Sequence, residues 1–470
     1  MKDELATRYD PKSFEQRLYA LWEERGFFTP SADPARPKFT IVIPPPNVTG
    51  RLHIGHALVN TLIDIIIRWK RMSGYNTLFL PGTDHAGIAT QMVVDRELMK
   101  QGTSRLELGR EKFLERVWQW KEQHSTEIKD QLVRLGVSAD WTRERFTLDD
   151  SLSRAVRHVF VKLYEDGLIY RDLAMVNWCP NCRTAISDVE VEFRERETKL
   201  YQIEYPVEGS GRRLPVATTR PETMLGDTAL AVHPEDERYR ELIGKSALLP
   251  IAERRIPIIG DATLVDREFG TGVVKVTPSH DKNDYEAGLR NGLPQLQVIG
   301  EDGRMTAAAG AGFEGLDRFA ARKKVLERLE ELGLLREAKP YAHSVGVHGK
   351  CDTVIEPMIS RQWFVRIEPL AKPAIDAVRD GTIEIIPESW QATYFNWMEN
   401  IHDWTISRQL WWGHRIPAFY CSNGHMMVSE ADPAACPECG STEIRQETDV
   451  LDTWFSSALW PFSTMGWPEE

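Results

Sequence analysis

The stretch that decides the fold reads Pro44-Pro45-Pro46-Asn47-Val48-Thr49-Gly50-Arg51-Leu52-His53-Ile54-Gly55-His56. The apolar run 39–43 precedes it and predicts a buried strand, because three consecutive prolines cannot continue a ladder of hydrogen bonds. After Gly50, apolar residues recur at helical spacing as far as Gly74, which predicts a helix of about five turns. His53 and His56 are expected to lie on one face of that helix.

The next segments repeat this order. Thr77–Leu80 is a short apolar run that Pro81 and Gly82 end, and it predicts a second strand. A second helical pattern runs from about Ile88 to Lys100 and is followed by Gly102. Strand, helix, strand and helix in the first hundred residues predict an α/β fold with a doubly wound parallel, Rossmann-like sheet.

The pattern changes near residue 190 and changes back near 343. In between, runs such as 213–218, 255–260 and 272–276 favour strands, and an amphipathic helix is expected at about 316–332. We therefore predict three regions. Residues 1–190 form the first half of an α/β domain, 191–342 form an inserted β-rich domain, and 343–470 form the start of the second half. Within this last region, 418–446 is a cysteine-bearing insertion.

Composition narrows the class of protein. The chain has 470 residues, of which 42 % are hydrophobic and 27 % charged, which is typical of several globular domains and excludes a disordered chain. No apolar run approaches the roughly 20 residues of a membrane span, and Met1–Leu5 lacks the apolar core of a secretory signal. We expect a cytoplasmic monomer. The net charge of −12 leaves only local basic patches to attract nucleic acid.

The turn before the first long helix favours a nucleotide site. A helix N-terminus presents free N–H groups and partial positive charge, which suit a polyphosphate. Gly55 would let a flat ligand approach closely, and the two imidazoles would stabilise charge that develops on a phosphate. The alternative is that both histidines are ordinary surface residues of a core helix.

The His-Ile-Gly-His sequence after a Pro/Asn/Gly turn resembles the first ATP-binding motif of class I aminoacyl-tRNA synthetases. This resemblance implies that ATP binds with Mg²⁺, and that His53 and His56 are catalytic. It places the ATP-binding residues at Thr49, Gly50, His53, Gly55 and His56. Ile406–Gly413 resembles the start of the second catalytic half.

Three segments resemble the valine-specific members of this family, namely 44–50, 82–91 and 451–461. By this resemblance Asp84 holds the substrate ammonium, for which a carboxylate is a natural partner, and Trp454 walls the side-chain pocket. The implied valine-binding residues are Pro44, Pro45, Asn47, Asp84 and Trp454. The implied partners are valine, ATP and tRNA(Val). The alternatives are that Asp84 is a helix cap, that Trp454 is a core residue, and that the ligase is of the isoleucine type.

The insertion resembles the editing domains of the valine, isoleucine and leucine enzymes. A pocket sized for valine rejects threonine only weakly, and these synthetases are themselves the standard example of a second, hydrolytic site. The resemblance implies an editing site for mischarged Thr-tRNA(Val) made of Arg220, Thr223, Lys275, Thr277, Asp281 and Asp284. Alternatively, 218–223 is a strand-to-turn cap, and the two aspartates are a pair at the start of a helix.

Six cysteines in two CxxC pairs with flanking single residues predict two structural zinc sites, because four protein ligands leave no open position for water. The first site is expected at Cys179, Cys182, His348 and Cys351, with His343 as an alternative ligand. The second is expected at Cys421, His425, Cys436 and Cys439, where Gly424 stands at the position of a family cysteine. Free thiols and redox chemistry are the weaker alternatives.

The family pattern stops at Glu470 without a second ATP motif of the Lys-Met-Ser-Lys-Ser type and without a helical anticodon-binding domain. We expect the chain to be the N-terminal portion of a longer ligase, inactive in adenylation on its own. The competing hypotheses are a stand-alone hydrolase of mischarged tRNA and a non-catalytic, zinc-stabilised RNA-binding module.

Overall fold

The structure is a computed structural model that describes residues 8–268 and 270–469. Residues 1–7, Phe269 and Glu470 lie outside it, and so does the expectation that Met1–Leu5 is not a secretory signal. The chain divides into two compact units, one made of Met1–Gly167 with Leu410–Glu470, the other of Leu168–Gln409. The predicted regions 1–190, 191–342 and 343–470 stay predictions.

The first unit combines helices with two parallel strand pairs and a three-stranded antiparallel sheet. Its helices are Glu15–Glu24, Ile54–Met72, Gly87–Lys100, Arg105–Leu108, Arg110–Arg134, Asp150–Glu165, Thr453–Ser457 and Trp460–Ser463. Its strands are Lys38–Val42, Asn76–Leu80, Gly82–Thr83, Arg145–Phe146, Ala418–Cys421, Met426–Val428, Ile444–Gln446 and Val450–Leu451.

The predicted strands and helices of the first hundred residues are confirmed within one or two residues. Lys38–Val42 pairs in parallel with Asn76–Leu80, and Gly82–Thr83 pairs in parallel with Arg145–Phe146. The prolines end the first strand, as expected, but the backbone stays beside the second one, because Asn47 forms a parallel bridge with Asp84. The core beneath these strands is formed by buried residues that include Ile43, Ile67, Phe79, Leu80 and Phe113.

The second unit is built mainly from antiparallel strands. Its strands are Ile169–Cys179, Thr184–Ile186, Val191–Pro206, Arg213–Thr218, Ala229–Val232, Ser246–Leu248, Arg255–Gly260, Val273–Val276, Leu335–His348, Glu356–Val365, Trp404–Thr405 and Ser407–Arg408. Its helices are Lys282–Asn291, Arg318–Glu331, Glu368–Arg379 and Gln391–Glu399.

Three sheets organise this second unit. Val191–Pro206 pairs along its length with Leu335–His348 and at its far end with Arg213–Thr218. Ala229–Val232 lies between Arg255–Gly260, which is parallel to it, and Val273–Val276, which is antiparallel. The third sheet pairs Ile169–Cys179 with Glu356–Val365 and Thr184–Ile186. The β-rich character predicted for 191–342 is therefore confirmed, and the predicted helix appears as Arg318–Glu331.

None of the helices in the described ranges is long and apolar enough to cross a membrane. The monomeric state and the cytoplasmic location stay predictions.

Candidate active site, editing pocket and metal clusters

The two histidines of the first motif meet at the start of helix Ile54–Met72. His53 is the N-cap of this helix and not part of it, which corrects the expectation that both lie on a helical face. The backbone N–H of Gly55 donates to His53 Nδ1 at 3.1 Å, and the N–H of His53 donates to His56 Nδ1 at 3.3 Å. The ring centroids are 4.0 Å apart, so the imidazoles do point the same way.

Both histidines stand at the start of a helix, where backbone N–H groups carry partial positive charge. Burial and then the neighbouring His53 lower the pKa of His56. A larger residue than glycine would clash at position 55, because a Cβ there would stand 2.9 Å from the His53 ring. Thr49 and Gly50 lie in the turn before the helix, and Gly50 has a φ of +152°.

Asp84 is the buried carboxylate next to this turn, with 5 % of its surface exposed. Its backbone N–H donates to Pro46 O, and its backbone O accepts from the N–H of Val48, so residues 46–48 lie beside it. The Asp84 side chain accepts from Ala86 N and from Ser457 Oγ, both at 2.7 Å. Burial raises the pKa of this carboxyl, and the two hydrogen bonds lower it again in part.

The cap that sequence reasoning allowed for Asp84 is not the one observed. The N-cap of helix Gly87–Lys100 is Ala86, which is left-handed at a φ of 47°. The Asp84 carboxylate stabilises that turn by accepting a hydrogen bond from the Ala86 N–H. It also binds the helix Thr453–Ser457 by accepting a hydrogen bond from Ser457. Thr453 Oγ1 also accepts from the N–H of Gly87 at 2.9 Å.

Trp454 lies on the same short helix, and 62 % of its surface is exposed. The alternative that it is a core residue is therefore wrong. Pro44 and Asn47 are exposed and Pro45 is half-buried, so these side chains are accessible on the same turn. The structure thus brings the backbone of 46–48, Asp84 and the helix that carries Trp454 together.

Two buried residues beside Asp84 were missed. His85 is fully buried, which lowers its pKa to about 3, and its ring accepts or donates a 2.7 Å hydrogen bond with Thr147 Oγ1. Trp412 Nε1 donates to His85 O at 2.8 Å. Both lay in segments that the sequence analysis quoted, but only their contact, 327 residues apart in sequence, shows that they support the Asp84 loop.

The second unit gathers most of the expected editing residues around one ammonium group. Lys275 Nζ donates to Thr223 Oγ1 at 3.0 Å and to Thr277 Oγ1 at 2.5 Å, and forms an ion pair of 3.2 Å with Asp227. Thr277 Oγ1 and Tyr205 Oη donate to the same Asp227 carboxylate at 2.6 and 2.7 Å. Burial raises the pKa of Asp227, and the Lys275 charge opposes that shift.

Asp281 and Asp284 differ in role. Asp281 is exposed and is the N-cap of helix Lys282–Asn291, as the alternative for this pair proposed. Asp284 is buried and accepts from Thr277 N at 2.8 Å. Burial is the largest cause that raises the pKa of Asp284 to about 7, and the nearby charge of Lys275 acts against it. The structure therefore ties Asp284 to the Lys275 cluster and leaves Asp281 accessible beside it.

Arg220 is held by carboxylates that the sequence did not single out. It forms ion pairs with Glu356 and with Glu222, and Glu222 in turn binds Arg322 at 2.7 and 2.8 Å. Burial lowers the pKa of Arg220, but the two carboxylates outweigh burial and raise it above its ordinary value. Glu356 is 136 residues away in sequence, so no local signal could have found this pair.

A cavity of about 720 Å³ opens along the strands Val191–Pro206 and Leu335–His348. Lys199, Tyr201, Thr219 and Arg322 are among the residues that line it. It therefore offers cationic and aromatic groups within the same unit as the Lys275 cluster.

The predicted cysteine clusters both assemble. In each cluster the ligand atoms lie within 4.8 Å of one another. The first cluster is Cys179, Cys182, His348 and Cys351, and the second is Cys421, His425, Cys436 and Cys439. In the first, the sulfurs of Cys179 and Cys182 lie 3.5 and 3.8 Å from that of Cys351. The alternative ligand His343 contacts Thr198 Oγ1 at 3.1 Å and is not a member of the cluster.

These separations fit a tetrahedral ion. Four ligands about 2.3 Å from a zinc ion lie about 3.8 Å from one another. His348 Nδ1 is 3.6 Å from Cys182 Sγ and 3.2 Å from Cys351 Sγ, and His425 Nδ1 is 3.6 Å from Cys436 Sγ. The donors are thus close enough to bind one metal ion in each cluster.

With this geometry, the comparisons identify the class of protein. The model of the tRNA synthetases of class I (I, L, M and V) matches residues 17–470, so the chain belongs to that family. The particular relatives are valine–tRNA ligases. That of Geobacter sulfurreducens is 60 % identical over 99 % of this chain and 52 % of its own length, and that of Carboxydothermus hydrogenoformans is 59 % identical over 99 % and 53 %.

The chain thus spans about half the length of the curated relatives that it matches. A solved LeuRS-tRNA-LeuAMS ternary complex from Agrobacterium radiobacter K84 is 19 % identical, with a TM-score of 0.47 over 98 % of this chain and 60 % of that chain.

Proposed function

We propose that this chain carries the ATP and valine sites of a valine–tRNA ligase. The observation that carries the proposal is the Asp84 carboxylate, which is buried beside the Pro46–Val48 turn and hydrogen-bonded to the helix of Trp454. The same unit contains His53 and His56 at the start of helix Ile54–Met72. The valine specificity is supported by relatives that are 59 and 60 % identical and are named for valine. The isoleucine-type alternative is supported here by the family model, which covers both types.

In this proposal Asp84 binds the ammonium of valine, and the accessible Trp454 and Pro44 border its side chain. The valine carboxylate attacks the α-phosphate of ATP, and pyrophosphate leaves. The free N–H groups of the helix start and the imidazoles of His53 and His56 stabilise the charge on the phosphate. Magnesium bound to ATP supplies further neutralisation of the phosphates. A hydroxyl of the tRNA terminus then attacks the valyl-adenylate carbonyl, and AMP leaves.

We further propose that the Leu168–Gln409 unit hydrolyses mischarged Thr-tRNA(Val). Lys275 gathers Thr223 and Thr277 into one polar cluster, Asp281 is an accessible carboxylate for an ammonium, and Asp284 accepts from Thr277 N behind them. No nucleophilic triad is needed, because an aminoacyl ester is already activated and a positioned water suffices. In our proposal the two cysteine clusters hold structural zinc, and the parallel strands form a Rossmann-like core.

The experiment is aminoacylation of tRNA(Val) by the full-length protein, with deacylation of Thr-tRNA(Val) measured in parallel. We expect valine to be attached, and Lys275→Ala to slow deacylation at least tenfold with little effect on attachment. The matched control is Lys282→Ala, an exposed lysine on the neighbouring helix. Attachment of isoleucine in place of valine would overturn the first proposal, and equal deacylation by the two lysine variants would overturn the second.

Exchange of ATP and pyrophosphate, measured beside deacylation, separates the competing hypotheses for the 470-residue chain. Deacylation without valine-dependent exchange of ATP and pyrophosphate supports a stand-alone hydrolase. The absence of both activities supports an RNA-binding module.

A further inference from the structure

A second cavity lies in the first unit, near the start of helix Arg110–Arg134. Its volume is about 300 Å³, and the residues that matter here are Arg110, Trp118, Trp411 and Arg415. We call it the Arg110–Arg415 cavity. Its lining includes neither histidine of the first motif and not Asp84, so neither the ATP site nor the valine site proposed above accounts for it.

The two arginines of this cavity donate to backbone carbonyl oxygens. Arg110 donates to Thr448 O at 3.0 Å, and its second terminal nitrogen is buried without a hydrogen-bond partner in the described structure. Arg415 donates to the carbonyl oxygens of Gln446 and Glu447 at 2.8 to 3.2 Å. Neither guanidinium pairs with a carboxylate within the ranges that the structure describes. A third lining arginine, Arg157, does have such a partner in Asp432.

The two arginines also oppose each other electrostatically. Burial is the main cause that lowers the pKa of Arg110, the charge of Arg415 lowers it further, and the Asp449 carboxylate acts against both. Burial likewise lowers the pKa of Arg415, although the carboxylates of Asp432 and Glu447 act against it. An anion between two such groups would offset both burial and repulsion, and guanidinium groups favour phosphate in particular.

The walls of the cavity are aromatic. Trp118 is 41 % exposed and packs edge-on against Trp412 and Phe146, which hold its ring in place. Trp411 is fixed in the same way against Phe113. Bases of single-stranded nucleic acids stack on exposed aromatic rings of this kind, beside arginines that bind the backbone. A volume of about 300 Å³ lies at the lower end for ligand pockets and suits one small nucleotide.

We propose that the Arg110–Arg415 cavity binds one nucleoside monophosphate unit, with its phosphate on the two arginines and its base against Trp118. The unit comes either from a free mononucleotide or from a single RNA strand. Both sources share this chemistry, and the length of the probe distinguishes them.

The test is calorimetric titration of the 470-residue chain with cytidine monophosphate, cytidine and a cytidine trinucleotide. Cytidine is used because the site at the first helix is expected to take adenine. We expect the monophosphate to bind at least tenfold more tightly than cytidine and to be displaced by inorganic phosphate. A trinucleotide that binds more tightly than the monophosphate identifies an RNA strand as the ligand, and equal binding identifies a free nucleotide.

The variants Arg110→Gln and Arg415→Gln should each weaken the monophosphate at least tenfold, whereas Arg415→Lys, which keeps the charge, should weaken it less. The matched control is Arg116→Gln, an exposed arginine on the same helix, which should change the affinity less than twofold. The proposal is overturned if the monophosphate binds no better than cytidine, or if the control variant loses as much affinity as the cavity variants. None of these probes carries an amino acid, so the result is independent of valine activation.

Discussion

Removal of one cysteine from a predicted zinc cluster should cost one metal ion and a defined part of the stability. Cys182 is buried, and its sulfur lies 3.8 Å from Cys351 Sγ and 3.6 Å from His348 Nδ1, close to the edges of a tetrahedron about a zinc ion. The Cys182→Ser variant leaves three ligands and a weak donor at the fourth corner. We expect wild-type protein to hold two zinc ions per chain and the variant to hold one.

The size of the stability loss follows from ligand linkage. Free zinc at 100 to 1,000 times its dissociation constant stabilises the folded state by about 3 to 4 kcal/mol. For a unit of the size of Leu168–Gln409, each kcal/mol shifts the unfolding midpoint by about 2 to 4 °C. The variant, or wild-type protein treated with a chelator, should therefore unfold about 10 °C lower in the transition that belongs to this unit.

The assay combines metal analysis by mass spectrometry with scanning calorimetry. Cys436→Ser is the matched variant, because it removes one buried ligand from the other cluster and should lower the metal content by the same one ion. A wild-type content well below two zinc ions per chain would refute the reasoning. So would a Cys182→Ser protein that keeps two ions or that unfolds at the wild-type temperature while the chelator still lowers it.

Three further predictions concern the other sites. The Asp84→Asn variant keeps the acceptor for Ala86 N but removes the charge. KM for valine should therefore rise about a hundredfold, because a buried charged partner worth about 3 kcal/mol is lost. Inhibition by 3-methylbutanoate, which lacks the ammonium, should hardly change, and an equal loss for both ligands would argue for a structural role. Burial raises the pKa of Asp284 to about 7, so between about pH 4 and 7 the folded chain keeps a proton that the unfolded chain has released. The free energy of unfolding should therefore fall as pH rises through that window, by an upper bound of about 4 kcal/mol. Urea unfolding of Asp284→Asn from pH 4 to 8 should lack this fall, and an unchanged slope would contradict the assignment. Glu222→Gln leaves Arg220 and Arg322 without their shared carboxylate and should lower the free energy of unfolding by about 3 to 5 kcal/mol, measured by urea unfolding. The control is Glu241→Gln, whose partner Arg212 is exposed, and it should cost less than about 1 kcal/mol.

Sequence reasoning worked where the signal is local. The Pro-rich turn, the two long helices of the first hundred residues and the CxxC pairs are set by residues within a few positions of one another, so spacing alone predicted them. The clusters could be completed with His348 and His425 because each histidine stands close in sequence to a cysteine.

The remaining features depend on contacts between distant segments. Spacing could not reveal that Glu356 binds Arg220, or that Asp227 is the shared acceptor for Lys275, Thr277 and Tyr205. The exposure of Trp454 was likewise beyond a composition argument, because tryptophan is usually buried and only the folded chain shows that 62 % of this residue is exposed. His53 was misplaced by one residue, because a histidine cap has the same spacing as a first helical residue.

The central claim is that the site around Asp84 activates valine, and exchange of ATP and pyrophosphate tests it most directly. The full-length protein should be assayed with each of the standard amino acids, side by side with its Asp84→Asn variant. The account predicts that valine gives the fastest exchange, that threonine and isoleucine are much slower, and that the variant loses valine-dependent exchange at low valine concentration. Faster exchange with isoleucine or leucine, or valine-dependent exchange that Asp84→Asn leaves unchanged, would contradict it.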